Sequence, residues 1–199
     1  MDFATSDRRP LPRTAAEGVK IVVTGGFAVG KTTMVRSVSE IRPLNTEESM
    51  TTAGSGVDSL AGTPDKTTTT VAFDFGRITL NERVVLYLFG APGQQRFGYI
   101  WHRLFTGCLG AVVLVDPRRL ADSFYAIDRL ERDGTPFLVA RNNFGVPRHS
   151  LEQLRDALDL SGDVPLLDCD ARERDSSRSV LIRLVEHLRE LSVPREVGE

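Results

Sequence analysis

Cysteine is nearly absent. Two residues, Cys108 and Cys169, stand far apart in a chain of 199 and match no metal-ligand spacing. Reduced thiols of a cytosolic protein are expected rather than a disulfide framework. No apolar run is long enough to span a bilayer. Charge of either sign is not in excess: 25 Lys and Arg against 27 Asp and Glu leave a formal net charge of −2. Such a balance supplies no basic field to hold nucleic acid. Residues 1–17 lack the apolar core of a signal peptide and the Met-Gly start of a myristoylation site. They read as a disordered lead whose Arg8, Arg9 and Arg13 face solvent or meet an anionic surface. No internal repeat and no second domain is visible. One domain over residues 18–192 is expected, with a frayed tail at 193–199. Its composition, 41% hydrophobic and 26% charged, is ordinary for a soluble globular protein with a core.

What is present is concentrated in one stretch, Gly25-Gly26-Phe27-Ala28-Val29-Gly30-Lys31-Thr32. It fits G-x-x-x-x-G-K-[ST], the phosphate-binding loop. The context fits as well. Val19 to Thr24 reads as a buried strand before it, and Thr33 to Val38 as the first turns of a helix after it. Glycines let the backbone bend and approach a ligand closely. The loop amides and the helix N-terminus then face phosphate oxygens. Lys31 adds a cation for the β- and γ-phosphates, and Thr32 a hydroxyl for Mg²⁺.

A helix is expected to run on to about Ile41, with Pro43 ending it. Asn45 to Lys66 carries almost no bulky apolar residue and is expected to be a mobile, functional loop. Val71, Phe73 and Phe75 alternate with Ala72, Asp74 and Gly76, which marks a half-exposed strand at or near a sheet edge. A hairpin turn at Asn81-Glu82 leads to a strand covered on both faces, Val84 to Phe89. Helical segments follow at Tyr99–Phe105, around Phe124–Leu130, at Leu151–Leu158 and over Val180–Leu191. Strands fall between them at Ala111–Val115, Pro136–Ala140 and Val164–Leu167. This alternation predicts an α/β fold: a mixed six-stranded sheet with helices on both faces. Ligands on such sheets bind beyond the carboxyl ends of the strands, where the unusual loops leave.

Taken together, Gly25–Thr33, Thr67–Arg77, Leu86–Phe97, Val112–Phe124 and Asp170–Arg172 resemble the motifs of Ras-like small GTPases. The chain is most similar to the bacterial conservon GTPases, with the gliding-motility polarity GTPases as cousins. The resemblance spans about Val19 to Leu191. It implies a P-loop NTPase fold, GTP or GDP as ligand, Mg²⁺ as cofactor and slow hydrolysis. It adds Thr33 to the nucleotide contacts. It places a switch threonine at Thr70, with Thr68 and Thr69 as alternatives, bringing a hydroxyl to Mg²⁺ and an amide to the γ-phosphate. Gly93 would give its N–H to the γ-phosphate, and Gln94 would orient the attacking water. On this reading Lys31, Thr70 and Gln94 are the catalytic set, and Thr32 and Thr70 the metal ligands. Gly90 replaces the superfamily's aspartate, which should weaken metal affinity. Asn142 keeps the place of the base-specificity asparagine. Gly145 replaces the aspartate that reads guanine, a loss of about 3–6 kcal/mol of discrimination. Asp170, Ala171 and Arg172 occupy the second base loop, with the Ala171 amide meeting guanine O6. Phe27 would crowd the γ-phosphate and slow hydrolysis.

The implied partners are a roadblock-type regulatory protein and a sensor-kinase-like membrane protein. That places the chain in the cytoplasm or at the inner face of the membrane. Phe97, Tyr99, Trp101 and Phe105 form either a partner surface or the packing face of a helix. Two other functions fit the same residues: a nucleotide-holding adaptor with little or no hydrolysis, and an ATP-binding P-loop protein. For the latter, Arg118 and Arg119 are the only nearby lid arginines. Asp116 is expected in a turn or cap. His102, His149 and His187 are expected as surface histidines.

Overall fold

A computed structural model describes residues 17–42, 44–51, 68–92, 98–146 and 149–192. Seven strands form one sheet in the order β2-β3-β4-β1-β5-β6-β7. The central strand β1 (Glu17–Gly25) lies between β4 (Val84–Gly90) and β5 (Gly110–Val115). It runs parallel to both. Beyond β5, β6 (Phe137–Asn142) and β7 (Leu166–Cys169) continue the parallel half. On the other side β3 (Thr68–Thr79) runs antiparallel to β4 and to the outermost strand, β2 (Leu44–Thr51).

The six expected strands are all present in a mixed sheet, and β2 adds a seventh. It comes from the start of the polar stretch expected to be a loop. Pairing settles the difference. Residues 44–51 lie in register with the otherwise open edge of β3, from Leu44 opposite Phe75 to Thr51 opposite Thr68. Backbone groups of a polar segment gain partners that way without a bulky core side chain. Residues 52–67 lie outside the described ones.

Helices cover both faces. Helices α1 (Lys31–Val38) and α5 (Arg174–Ser192) pack on one, burying Ile21, Val23, Leu86, Leu88, Val112 and Leu114 with Met34, Val35, Val180, Leu181 and Leu184. α1 is shorter than expected. It ends at Val38 because Ser39 turns extended, at φ −64° and ψ 134°, before Pro43 is reached. On the other face lie α2 (Gly98–Phe105) and α3 (Ala121–Arg132). The core there joins Trp101, Ala126, Ile127 and Leu130 to Val113, Val115 and Val139. α4 (Leu151–Ala157) contributes Leu154, and Leu158 just past its end joins the same cluster. The helix begins with a capping box, Ser150 and Gln153 each bonding the other's backbone N–H.

Candidate functional site

β1 ends where the chain must turn within one residue. Gly25 takes φ +129°, and a Cβ there would sit 2.2 Å from the Leu114 carbonyl oxygen of β5. Gly30 takes φ +106°, and its Cβ would sit 2.6 Å from Asn142 Nδ2. Only glycine satisfies both demands. Between them Val29 is buried, and its carbonyl accepts a 2.9 Å bond from Asn142 Nδ2. The loop is thus pinned to the end of β6. It is pinned to the turn before α3 as well: Arg119 donates to the Phe27 carbonyl at 2.8 Å.

Lys31 begins α1 and is buried. Its Nζ reaches back to donate to the carbonyls of Gly25 (3.0 Å) and Gly26 (2.6 Å). Burial pushes this ammonium down to about 8, against the pull of the Asp74 charge. Among the described residues the hydrogen bonds of this buried cation go to carbonyls, and a polyphosphate is a natural further counterpart. Thr32, one residue on, donates its hydroxyl to Asp74 Oδ2 at 2.5 Å.

Asp74 carries no expected role on the sequence alone. It lies on β3 directly opposite Gly90, the position where the resemblance to Ras-like GTPases leads one to expect an aspartate. A Cβ on Gly90 would come within 3.1 Å of both Asp74 Cβ and Oδ2. The carboxylate therefore occupies the space beside the lost position, reached from the neighbouring strand. The signal was legible only as a pair: an aspartate between two phenylalanines, and a glycine where its cross-strand partner ends. Without the register neither residue points to the other.

Beyond β6 and β7 a second cluster forms. Asn142 Oδ1 accepts the N–H of Ala171 at 2.9 Å and of Asn143 at 3.0 Å. The Ala171 amide, expected to be free for a base, is engaged with Asn142 in this structure. Asn143 Oδ1 accepts the Gly145 N–H, and its Nδ2 donates to Asp170 Oδ2, both at 3.0 Å. Arg172 closes on Asp170 with Nε to Oδ1 at 2.8 Å and Nη2 to Oδ2 at 2.6 Å. This pairing holds the Asp170 carboxyl well below the usual carboxylate range.

The remaining sequence expectations divide. Gly93, Gln94 and Phe97 lie outside the described residues. Thr70 lies in β3 opposite Ser49, and its side chain is likewise outside the description. Trp101 and Phe105 are packing residues: they stack with ring centroids 4.2 Å apart, and Trp101 meets Tyr125 edge-on. This corrects the partner-surface alternative for those two; the side chain of Tyr99 lies outside the description. His187 is buried on α5, not at the surface, because its position faces the sheet. His102 and His149 are exposed. Asp116 does take a turn role, accepting the Arg118 backbone N–H at 2.9 Å and a bidentate guanidinium. Arg118, so held, lies 4.0 Å over the Phe144 ring.

Two features fit a divalent cation. Thr32 and Asp74 present a hydroxyl and a carboxylate, both hard oxygen donors of the kind Mg²⁺ takes. They stand beside a loop and a lysine suited to phosphate, whose oxygens would complete the shell. No cluster of three or more His, Cys, Asp or Glu side chains able to hold a metal by itself occurs among the described residues.

Residues 23–190 match the family described as "Conserved hypothetical ATP binding protein". The chain belongs to that family. An uncharacterized protein of Methanocaldococcus jannaschii is 30% identical over 98 residues, which are 49% of this chain and 51% of the relative. The chain thus spans about half the length of that curated relative. Among solved structures, the cytosolic domain of the T. maritima FeoB iron transporter in its apo form superposes with a TM-score of 0.63 at 14% identity. The match covers 86% of this chain and 64% of that one. The FeoB G-domain from Methanococcus jannaschii gives 0.57 at 14% identity, covering 87% of this chain and 99% of that one. The fold is that of the FeoB G domains. The narrower conservon group is not distinguished by these matches. Among the described residues no helix is long and apolar enough to cross a membrane.

Proposed function

We propose that this domain is a guanine-nucleotide switch that binds Mg²⁺·GTP and hydrolyses it slowly. The observation that carries the reading is the chain of contacts from the loop carbonyls through Lys31 to Thr32 and Asp74. It puts one cation and two hard oxygens at the start of a helix, beneath a turn that only glycines can make. The loop amides and Lys31 would hold the β- and γ-phosphates. Thr32 and Asp74 would hold Mg²⁺, which would supply charge neutralisation to the phosphates. In this reading Asp74 restores what Gly90 lost.

Thr70 and Gly93 would clasp the terminal phosphate and release it after hydrolysis, an order–disorder switch. Gln94 would orient the attacking water. A partner that binds one arrangement reads the state. By resemblance that partner is a roadblock-type protein acting with a sensor-kinase-like membrane protein, which would bring the domain to the inner face of the membrane. The family description, "ATP binding", supports a second reading in which adenine is the base.

Titration with fluorescent GTP and ATP, each with Mg²⁺ and with EDTA, tests the assignment. Saturable, Mg²⁺-enhanced GTP binding abolished by Lys31→Ala is the expected result. Preference for ATP favours the second reading. Single-turnover phosphate release no faster than the Lys31→Ala control would make the protein a nucleotide-holding adaptor instead of a GTPase.

A further inference from the structure

We infer that Asp170 is the residue that reads the base, and that Arg172 holds its place when no nucleotide is bound. The inference rests on the nucleotide reading above and adds which side chain sets its specificity.

The Asp170 carboxylate lies just past β7, on the same carboxyl edge of the sheet as the glycine loop. Asn142 links the two places: its Nδ2 holds the Val29 carbonyl of the loop and its Oδ1 holds the Ala171 amide beside Asp170. From β1 to β7 is three strand spacings, roughly 14 Å. That span suits a nucleotide with its phosphates at the loop and its base at Asp170.

The cluster around the carboxylate is built, not incidental. Asp170 is fixed through its own N–H, which donates to Ser176 Oγ at 2.8 Å. Oδ2 takes the Asn143 amide at 3.0 Å, and the other face of that amide holds the Gly145 backbone. Gly145 itself has no side chain to offer, and a Cβ there would meet nothing within 4 Å. The carboxylate therefore stands one side-chain amide away from an open position on the neighbouring loop.

Its partner is the telling group. Arg172 presents two N–H donors, from Nε and Nη2, one to each carboxylate oxygen. Its backbone N–H adds a bond to Oδ1 at 3.1 Å. The Watson–Crick edge of guanine presents the same fragment: N1–H and the N2 amino group on one carbon. A guanidinium that is 68% exposed, paired with a carboxylate only 17% exposed, is the member that can leave. Guanine would replace the two side-chain bonds of Arg172 with two of its own. Adenine cannot, because its N1 is an acceptor and would face the carboxylate. Hypoxanthine keeps N1–H alone, and xanthine carries an oxygen at C2.

Equilibrium titration of the full chain with GTP, ITP, XTP and ATP in Mg²⁺ tests this. The wild-type protein should hold GTP about 10–100-fold more tightly than ITP, the ratio for one charge-assisted hydrogen bond. ATP should bind more weakly still. Asp170→Asn, whose carboxamide offers one donor and one acceptor, should lose at least about tenfold for GTP and gain for XTP. A gain cannot come from a misfolded loop, so it separates lost recognition from lost structure. Arg172→Ala should tighten GTP while leaving ATP unchanged, since guanine no longer competes for the carboxylate. Binding that is indifferent among GTP, ITP and ATP, or an Asp170→Asn variant weakened equally for all four, overturns the assignment alone. No saturable binding of any triphosphate overturns the nucleotide reading and this assignment with it.

Discussion

At the scale of single residues, the proposed metal site rests on a cross-strand pair. Gly90 and Asp74 face one another in β3 and β4, and the space beside one is filled by the carboxylate of the other. In the proposed reading the two positions act as a unit. Asp74→Ala should remove most of the Mg²⁺ enhancement of nucleotide affinity, about tenfold or more, leaving the affinity in EDTA nearly unchanged. Paired titrations with Mg²⁺ and EDTA read this out; equal loss under both conditions would assign Asp74 a structural role. Gly90→Asp alone should not help, because its Cβ would press on Asp74 at 3.1 Å and set two carboxylates side by side. The double variant Gly90→Asp, Asp74→Ala should bind Mg²⁺·nucleotide better than either single variant. This part of the site was hidden in the sequence because it depends on register. Gly25 to Thr32 was legible because the whole constellation is contiguous and each position has its own chemical reason. Asp74 and Gly90 are 16 residues apart and become neighbours only when the hairpin at Asn81 fixes how β3 and β4 pair.

At the scale of elements, the helices and the parallel strands follow from pattern alone. Val112 to Val115 and Leu138 to Ala140 are continuous apolar runs because both faces of the sheet are covered there, and every one of those residues is fully buried. β2 could not be read that way. Its residues carry no buried-face pattern, and its existence depends on a partner strand supplying hydrogen bonds. α5 is the heaviest apolar contributor to its face of the sheet, and Leu184 on it is fully buried. Leu184→Ala should cost about 2–5 kcal/mol of stability, measured by urea denaturation. A loss below 1 kcal/mol would mean that α5 is not locked to the sheet. Cys169, at the end of β7 beneath α5, gives a test by pH. Burial pushes its thiol up to about 11, opposed by the Ser176 and Ser177 hydroxyls. A thiol raised in the folded state favours folding fully below the ordinary thiol range. That contribution is lost as pH rises from there through about 11. Alkylation at pH 8 should therefore be slow at Cys169 in the native protein and fast once it is unfolded. Rapid native labelling at that site would show that the β7 end opens readily.

At the scale of the whole molecule, the sheet has a parallel part and an antiparallel part, and the candidate site draws on both. β1, β5, β6 and β7 are joined in parallel and sealed by helices on both faces, while β2 and β3 attach on the far side of β4 by antiparallel pairing. The glycine loop is tied to the first part through Asn142 and Arg119. Asp74, its proposed metal partner, belongs to the second. A ligand that bridges Lys31, Thr32 and Asp74 therefore couples the two parts, and its binding energy adds to folding stability by mass action. At 100 times its dissociation constant a nucleotide adds about 2.7 kcal/mol. That should raise the melting temperature by several degrees, roughly 2–4 °C per kcal/mol for a domain of this size. The coupling makes a sharper claim than stabilisation alone. With Mg²⁺ and nucleotide together, amide exchange should slow in β3 around Asp74 as well as in the loop. With nucleotide in EDTA the slowing around Asp74 should be lost, because the phosphates still reach Lys31 and the Thr70 amide at the start of β3, but nothing then binds them to Asp74. Equal protection around Asp74 under both conditions would show that the metal does not join the two parts of the sheet.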